Sequence, residues 1–230
     1  MVVNGLMKMT LLDFPGRVAC TVFTAGCNMR CPFCHNAALV TEIDPAERIE
    51  VDEIMAFLKK RVGLLDGVAI TGGEPLLQPD IADFIREVRL LGYAVKLDTN
   101  GSFPDRLEAL VGEGLVDYVA MDIKNSPELY ARTVGVDDFD LAPVERSKDF
   151  LLSGAVDYEF RTTVVAQFHT VESIAGAAKW IAGAKRYYLQ QFTDSGNLIS
   201  DGLTAAPKNI MEEMRDAAKV YVPETALRGL

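Results

Sequence analysis

Short β-rich apolar runs alternate along the chain with segments whose apolar residues recur at helical spacing, the pattern of a parallel α/β sheet. The runs predict strands at Val18–Thr24, Gly67–Thr71, Tyr93–Asp98, Asp117–Asp122, Tyr158–Val165 and Arg186–Phe192. Their near-continuous apolar character suits strands covered by helices. Between them, Val51, Ile54, Met55, Leu58 and Val62 share one helix face, as do Ile81, Phe84, Ile85, Val88 and Leu91. Gly92 then stops the second of these. Ser126-Pro127-Glu128 reads as a helix start, with a capping serine, a first-turn proline and an acid suited to the dipole. Further helices are predicted near Pro104–Val111, Pro143–Leu152, Val171–Ala182 and Pro207–Val220, and Asp194 to Ala206 is a long polar loop. Six strands with helical crossovers fit either an open barrel or a flat doubly wound sheet, and periodicity does not choose between them. In both, ligands gather at the carboxyl ends of the strands.

The 230 residues, 49% of them hydrophobic, suit one well-cored domain, although two small ones would also fit. The formal net charge is -10, and the absence of a basic run argues against nucleic acid as a partner. No apolar run approaches the roughly 18 residues that cross a bilayer, and Met1 to Thr10 lacks the features of a secretory signal. The reading is cytoplasmic, with no membrane partner. Three of the four cysteines fall within eight residues. A reducing compartment keeps such thiols unpaired, and three close thiolates point to a metal. Cys20, on the first predicted strand, reads as a buried thiol.

The cluster runs Cys27-Asn28-Met29-Arg30-Cys31-Pro32-Phe33-Cys34-His35-Asn36, directly after the first strand. Thiolates are soft ligands that suit iron–sulfur clusters and zinc. Cys27, Cys31 and Cys34 could hold three irons of a four-iron cluster and leave one iron open to the amino and carboxylate groups of a methionine moiety. A zinc site with His35 as fourth ligand is the competing reading. Adjacent Cys34 and His35 make that geometry awkward, because neighbouring side chains diverge.

Three further stretches close predicted strands. Thr71-Gly72-Gly73-Glu74-Pro75 has a glycine pair that permits close backbone approach, with Glu74 able to anchor the loop; it also reads as a plain strand-to-helix turn. Asp98-Thr99-Asn100-Gly101 and Asp122-Ile123-Lys124-Asn125 place a carboxylate at each of two strand ends. Those carboxylates would repel unless a cation, a sulfonium or Lys124 lies between them. Arg161 is a charge within a β-rich run, either covering a sheet rim or contacting a ligand. Gln190 and Gln191 end the sixth strand, where one must point inward. His169, standing alone after the fifth strand, reads as a surface or capping group.

The cysteine spacing, with an aromatic before the third cysteine, resembles the signature of the radical S-adenosylmethionine superfamily. Cys34-His35-Asn36 and Asp13-Phe14-Pro15-Gly16 resemble the activating enzymes of glycyl radical enzymes, and the likeness runs in order from about Asp13 to Gln191. The resemblance implies a partial (β/α)6 TIM-like barrel over 1–230, with its core at about 13–192 and a C-terminal helix and tail at about 193–230. It implies two cofactors, a [4Fe–4S] cluster on Cys27, Cys31 and Cys34, and S-adenosyl-L-methionine. The cofactor would be lined by Phe33, His35, Gly72, Gly73, Glu74, Asp98, Asn100, Asp122, Lys124, Arg161 and Gln191, with Lys124 on the methionine carboxylate. Asp13, Pro15 and Gly16 would lie on the substrate side, where Phe14 departs from the Asp-Gly-Pro-Gly form common in these activators.

The implied reaction cleaves S-adenosylmethionine reductively and abstracts a glycine Cα hydrogen from a partner enzyme, with reduced flavodoxin or ferredoxin as electron donor. No cysteine follows Cys34, so the ferredoxin-like module inserted in many such activators is absent. Within the family, the resemblance is to activators of anaerobic ribonucleoside-triphosphate reductase, with pyruvate formate-lyase activating enzyme next. Single-cluster enzymes acting on small molecules, such as 7-carboxy-7-deazaguanine synthase-like enzymes, form the alternative class.

Overall fold

The computed structural model describes all 230 residues, Met1–Leu230, as two compact units. Unit one comprises Met1–Asn28, Ala38–Thr99 and Phe103–Val119; unit two comprises Met29–Ala37, Asn100–Ser102 and Ala120–Leu230.

Unit one holds β1 (Val3–Thr10), β2 (Ala19–Thr24), α1 (Val51–Lys59), β3 (Gly67–Gly72), α2 (Ile81–Leu90), β4 (Ala94–Thr99) and α3 (Pro104–Gly112). β2, β3 and β4 run parallel, with Cys20 opposite Val68 and Val68 opposite Val95. Both α1 and α2 turn an apolar stripe inward, burying Ile54 and Leu58, and Phe84, Ile85 and Val88. Acidic Asp52 and Glu53 stand in the first turn of α1 and Lys59 in its last, as the helix dipole favours. β1 is an antiparallel strand beside β2, pairing Val3 with Thr24 and Thr10 with Ala19. The sequence reading left this segment without a strand.

β5 (Tyr118–Asp122) begins in unit one and ends in unit two. The Asp117 N–H just before it bonds the Val95 carbonyl at 2.9 Å, and the Ile123 N–H just after it bonds the Arg161 carbonyl at 2.7 Å. Unit two continues with α4 (Tyr130–Val134), α5 (Ala142–Leu152), β6 (Asp157–Val164), α6 (Val171–Trp180), β7 (Tyr187–Gln191), α7 (Lys208–Lys219) and β8 (Thr225–Arg228). β6, β7 and β8 are parallel, and α6 packs against α7. A capping box starts α6, with Thr170 and Ser173 each serving the other's backbone N–H. Ser126, expected to cap a helix, makes no side-chain cap; Pro127–Leu129 forms a 3₁₀ turn that leads into α4.

The Asp13–Gly16 loop closes the start of unit one. Phe14 is 3% exposed and packs with Ala19, Ala94 and Tyr118. A Cβ on Gly67 would meet its ring at 2.8 Å, so the ring fills the place that a side chain would take. Asp13 accepts a hydrogen bond from the Thr21 hydroxyl at 2.6 Å, fixing the loop to β2. The phenylalanine that departs from the expected motif is thus a core residue.

Candidate active site

In unit one, the turn after β3 is laced to the segment that leads into Cys27. The Gly73 N–H bonds the Thr24 carbonyl and the Glu74 N–H bonds the Gly26 carbonyl, both at 2.8 Å. Gly72 has φ +117, and a Cβ there would lie 2.3 Å from the Thr24 oxygen. A Cβ on Gly73 would lie 2.0 Å from the Gly26 oxygen. The glycine pair is therefore required by the chain's own close backbone approach. Glu74 is fully buried; its Oε1 accepts from the Leu76 N–H at 3.0 Å and from the Thr99 hydroxyl at 2.8 Å. It caps the 3₁₀ turn Pro75–Leu77 and ties the end of β3 to that of β4. Asp98, at the end of β4, forms an ion pair with Lys96, a residue for which the sequence reading had no role.

In unit two, the stretch Met29–Ala37 carries Cys31 and Cys34 in a turn closed by the Cys34 N–H on the Cys31 carbonyl at 3.0 Å. The Arg30 N–H bonds the Val134 carbonyl at 2.8 Å, seating this stretch on the end of α4. Gly135 makes that approach possible, since a Cβ there would lie 2.4 Å from the Arg30 oxygen. Phe33 is buried against Phe168 and His169, with ring centroids 5.6 and 6.2 Å away. The His35 ring meets Phe192 edge-on at 5.5 Å. The polar loop after β7 holds the same stretch, with the Ser200 N–H on the Pro32 carbonyl at 3.0 Å.

Asp122 is gripped by two cations. Lys124 Nζ lies 2.9 Å from Oδ2, while Arg161 places Nη2 at 3.0 Å and Nε at 3.1 Å from Oδ1. Burial pushes the Asp122 carboxyl up, but Lys124 and Arg161 together outweigh it and hold its pKa at about 2. Burial likewise works to lower Lys124, and Asp122, with the charge of Cys31, raises it well above the usual lysine range. Two cations thus converge on one carboxylate, which keeps Asp122 ionised and Lys124 protonated. Burial raises the Cys34 thiol and lowers His35. Arg161, read from the sequence as either a rim cover or a ligand contact, pairs with Asp122.

Of the two readings of His169, surface or capping group, burial overturns the first, and the ring serves two backbone groups. It is buried, its Nδ1 accepts from the Val165 N–H at 3.1 Å, and its Nε2 faces the Lys124 carbonyl at 2.8 Å. Asn100 accepts the Ser102 N–H at 2.9 Å. Gln191 donates Nε2 to the Ala206 carbonyl at 3.0 Å, while its buried Oε1 has no protein partner. Lys96 could have been found from strand alternation, being two residues before Asp98 inside an apolar run; His169 carried no such signal.

No three His, Cys, Asp or Glu side chains gather around one point in the structure. The donor chemistry is what fits: Cys27 in unit one, and Cys31 and Cys34 in unit two, are soft thiols in no disulfide, and unit two also holds the Lys124 ammonium and the buried Gln191 Oε1 with no protein partner. These suit an iron–sulfur cluster and a ligand with a carboxylate and hydroxyl groups.

Comparison with known proteins bears on the same residues. The model of the Radical SAM superfamily matches residues 21–142. A protein of Methanocaldococcus jannaschii, provisionally described as a glycyl-radical enzyme activating enzyme, is 30% identical over 99% of this chain and 96% of its own. The 7-carboxy-7-deazaguanine synthase of Methanopyrus kandleri is 27% identical over 82% of this chain and 79% of its own. Among solved structures, SuiB of Streptococcus suis bound to S-adenosylmethionine superposes with a TM-score of 0.70 over 90% of this chain and 49% of its own, at 14% identity.

Proposed function

From the premise that the chain belongs to the radical S-adenosylmethionine superfamily, and so is an enzyme using a [4Fe–4S] cluster and S-adenosylmethionine, we propose that it installs a glycyl radical on a partner protein. The end-to-end likeness to a glycyl-radical enzyme activating enzyme carries this reading. Anaerobic ribonucleoside-triphosphate reductase is the proposed partner, because the chain has no cysteine after Cys34 and so resembles the minimal activators. Reduced flavodoxin or ferredoxin is the proposed donor, and the cytoplasm the proposed compartment, where thiolates stay reduced.

Cys27, Cys31 and Cys34 would hold the cluster, and Lys124 the methionine carboxylate. When bound, the two cofactors supply reductive cleavage of a sulfonium C–S bond and the radical that removes a glycine Cα hydrogen. The chain's own residues bind and orient. Lys124 is held by Asp122 on its ammonium and by His169 on its carbonyl. The glycine turn brings the Glu74 N–H to Gly26, next to the first cysteine. Gln191 offers an acceptor to a hydroxyl, and Phe33 anchors the cysteine stretch while keeping water from it.

Anaerobic reconstitution with iron and sulfide tests the reading. Wild type should gain close to four irons per chain and form 5′-deoxyadenosine with dithionite, and Cys31→Ala should do neither. Mixing with the reductase should give a glycyl doublet in electron paramagnetic resonance; its absence, with 5′-deoxyadenosine still formed, would reassign the substrate. The second reading, a small-molecule enzyme, draws on the likeness to 7-carboxy-7-deazaguanine synthase. Turnover of a small molecule with no protein partner would favour it.

A further inference from the structure

We propose that Thr162 is a positioning residue for S-adenosylmethionine: its hydroxyl, oriented by Tyr187, fixes the backbone between Asp122 and Lys124. The proposal rests on the reading that Lys124 meets the methionine carboxylate. Asp122 ends β5, and Lys124 stands two residues on with its ammonium at 2.9 Å. Two residues so spaced share a face of extended backbone and not of a helix, so the pair depends on the path of the chain through Ile123. The Ile123 N–H bonds the Arg161 carbonyl of β6 at 2.7 Å, while the Ile123 carbonyl accepts the Thr162 hydroxyl at 2.6 Å. On either side, the Tyr130 hydroxyl reaches the Asp122 carbonyl at 3.4 Å, and His169 Nε2 the Lys124 carbonyl at 2.8 Å. Three successive carbonyls of unit two are thus served by side chains from α4, β6 and the turn before α6.

Arg161 and Thr162 are neighbours on β6: one grips the Asp122 carboxylate, the other the peptide that follows it. A threonine hydroxyl has one proton, and a carbonyl can only accept. The Thr162 proton therefore goes to Ile123, and Tyr187 donates to Thr162 across their 2.6 Å contact. Both side chains are buried, so neither hydroxyl can turn to water instead. Burial also raises the Tyr187 phenol above the usual tyrosine range, which keeps the donated proton in place. Packing alone does not ask for this pair, since Val164 and Leu189 fill the same two strands with apolar groups. A valine would match threonine in shape and lack only the donor. Buried hydroxyls are explained by the groups they serve, here the Ile123 carbonyl. Thr162 acts through that peptide and does not itself touch the reacting atoms.

The test compares wild type with Thr162→Val, Thr162→Ser and Tyr187→Phe. Thr162→Val keeps the shape and loses the donor; Thr162→Ser keeps the donor. In the reconstituted enzyme, Thr162→Val should raise the KM for S-adenosylmethionine about tenfold and leave kcat within about twofold of wild type. Thr162→Ser should bring KM back to within about twofold of wild type, and Tyr187→Phe should raise it about threefold. In the cofactor-free protein, amide hydrogen exchange in Thr162→Val should quicken over residues 122–125 and stay as in wild type along α6 and β7. A wild-type KM in Thr162→Val, or a KM raised as much in Thr162→Ser, would overturn the proposal. So would exchange that quickens evenly through unit two, the mark of a general loss of stability. If Thr162→Val does not fold, Tyr187→Phe decides, and a wild-type KM there overturns the proposal. Lys124→Ala separates the two readings. If it shares the wild-type KM while Thr162→Val exchanges faster only over 122–125, the backbone role of Thr162 stands and the carboxylate role of Lys124 falls.

Discussion

His169 holds the carbonyl oxygen of Lys124 at 2.8 Å through Nε2 while its Nδ1 accepts the Val165 N–H. A backbone N–H can only donate, so the proton sits on Nε2 and both ring nitrogens are satisfied in the neutral tautomer. The imidazole thus fixes the backbone of the residue whose ammonium faces Asp122. Burial lowers the His169 pKa from 6.5, and its two backbone contacts offset only part of that.

A histidine whose folded pKa lies below its unfolded one binds fewer protons when folded, so its contribution to stability is present above the unfolded pKa and is lost as pH falls. Wild type should therefore lose stability from about pH 6.5 downward, followed by denaturant midpoints at several pH values. His169→Gln should flatten that part of the profile and keep the bond to Lys124. His169→Ala should cost about 2 to 3 kcal/mol and weaken S-adenosylmethionine binding more than the glutamine variant does.

Asp122 behaves in the same sense at lower pH. Its carboxyl titrates near 3.8 in the unfolded chain and at about 2 when folded. The stability that it contributes is complete above about pH 4 and disappears as pH falls through about 2. Acid unfolding should show a loss on the order of 2 kcal/mol across that interval, and Asp122→Asn should remove it.

Gly73→Ala should be far more damaging than an ordinary surface substitution, because the added carbon lies 2.0 Å from the Gly26 carbonyl oxygen and backbone must move to admit it. Loss of several kcal/mol, or failure to bind iron at a Tm near that of wild type, are the expected results. Gly112→Ala, with nothing within 4 Å of the new carbon, is the matching control.

Phe14→Gly restores the motif common among activators and empties a core position. It should lower stability by about 3 to 5 kcal/mol, read from denaturant midpoints. If the protein folds, 5′-deoxyadenosine formation should persist, since the ring packs in the core with Ala19, Ala94 and Tyr118.

The six buried strands were legible because they carry continuous apolar runs ended by turn residues. β1 was not: it pairs on one side only, and Met7, Lys8 and Met9 are exposed along it, so no apolar run marks it. β8 spans four residues, too few to establish a period. Among the candidate residues, the sequence indicated where the cysteines, the glycine turn, Asp98, Asp122 and Lys124 fall, because strand ends and motifs announce them. Beyond Lys124 for Asp122, it did not indicate who their partners are. Lys96 meets Asp98 within one strand and was open to discovery by alternation, whereas Arg161 meets Asp122 and His169 meets Lys124 through packing between elements distant in sequence, which local pattern does not encode.

The lacing of Gly73 and Glu74 onto Thr24 and Gly26 has an evolutionary consequence. Two stretches nearly fifty residues apart share one set of backbone contacts, and Gly73 lies against Gly26 with no room for a side chain between them. Descendants of this chain can vary the exposed face of α1 between them, but the turn and the approach to the first cysteine can only drift together.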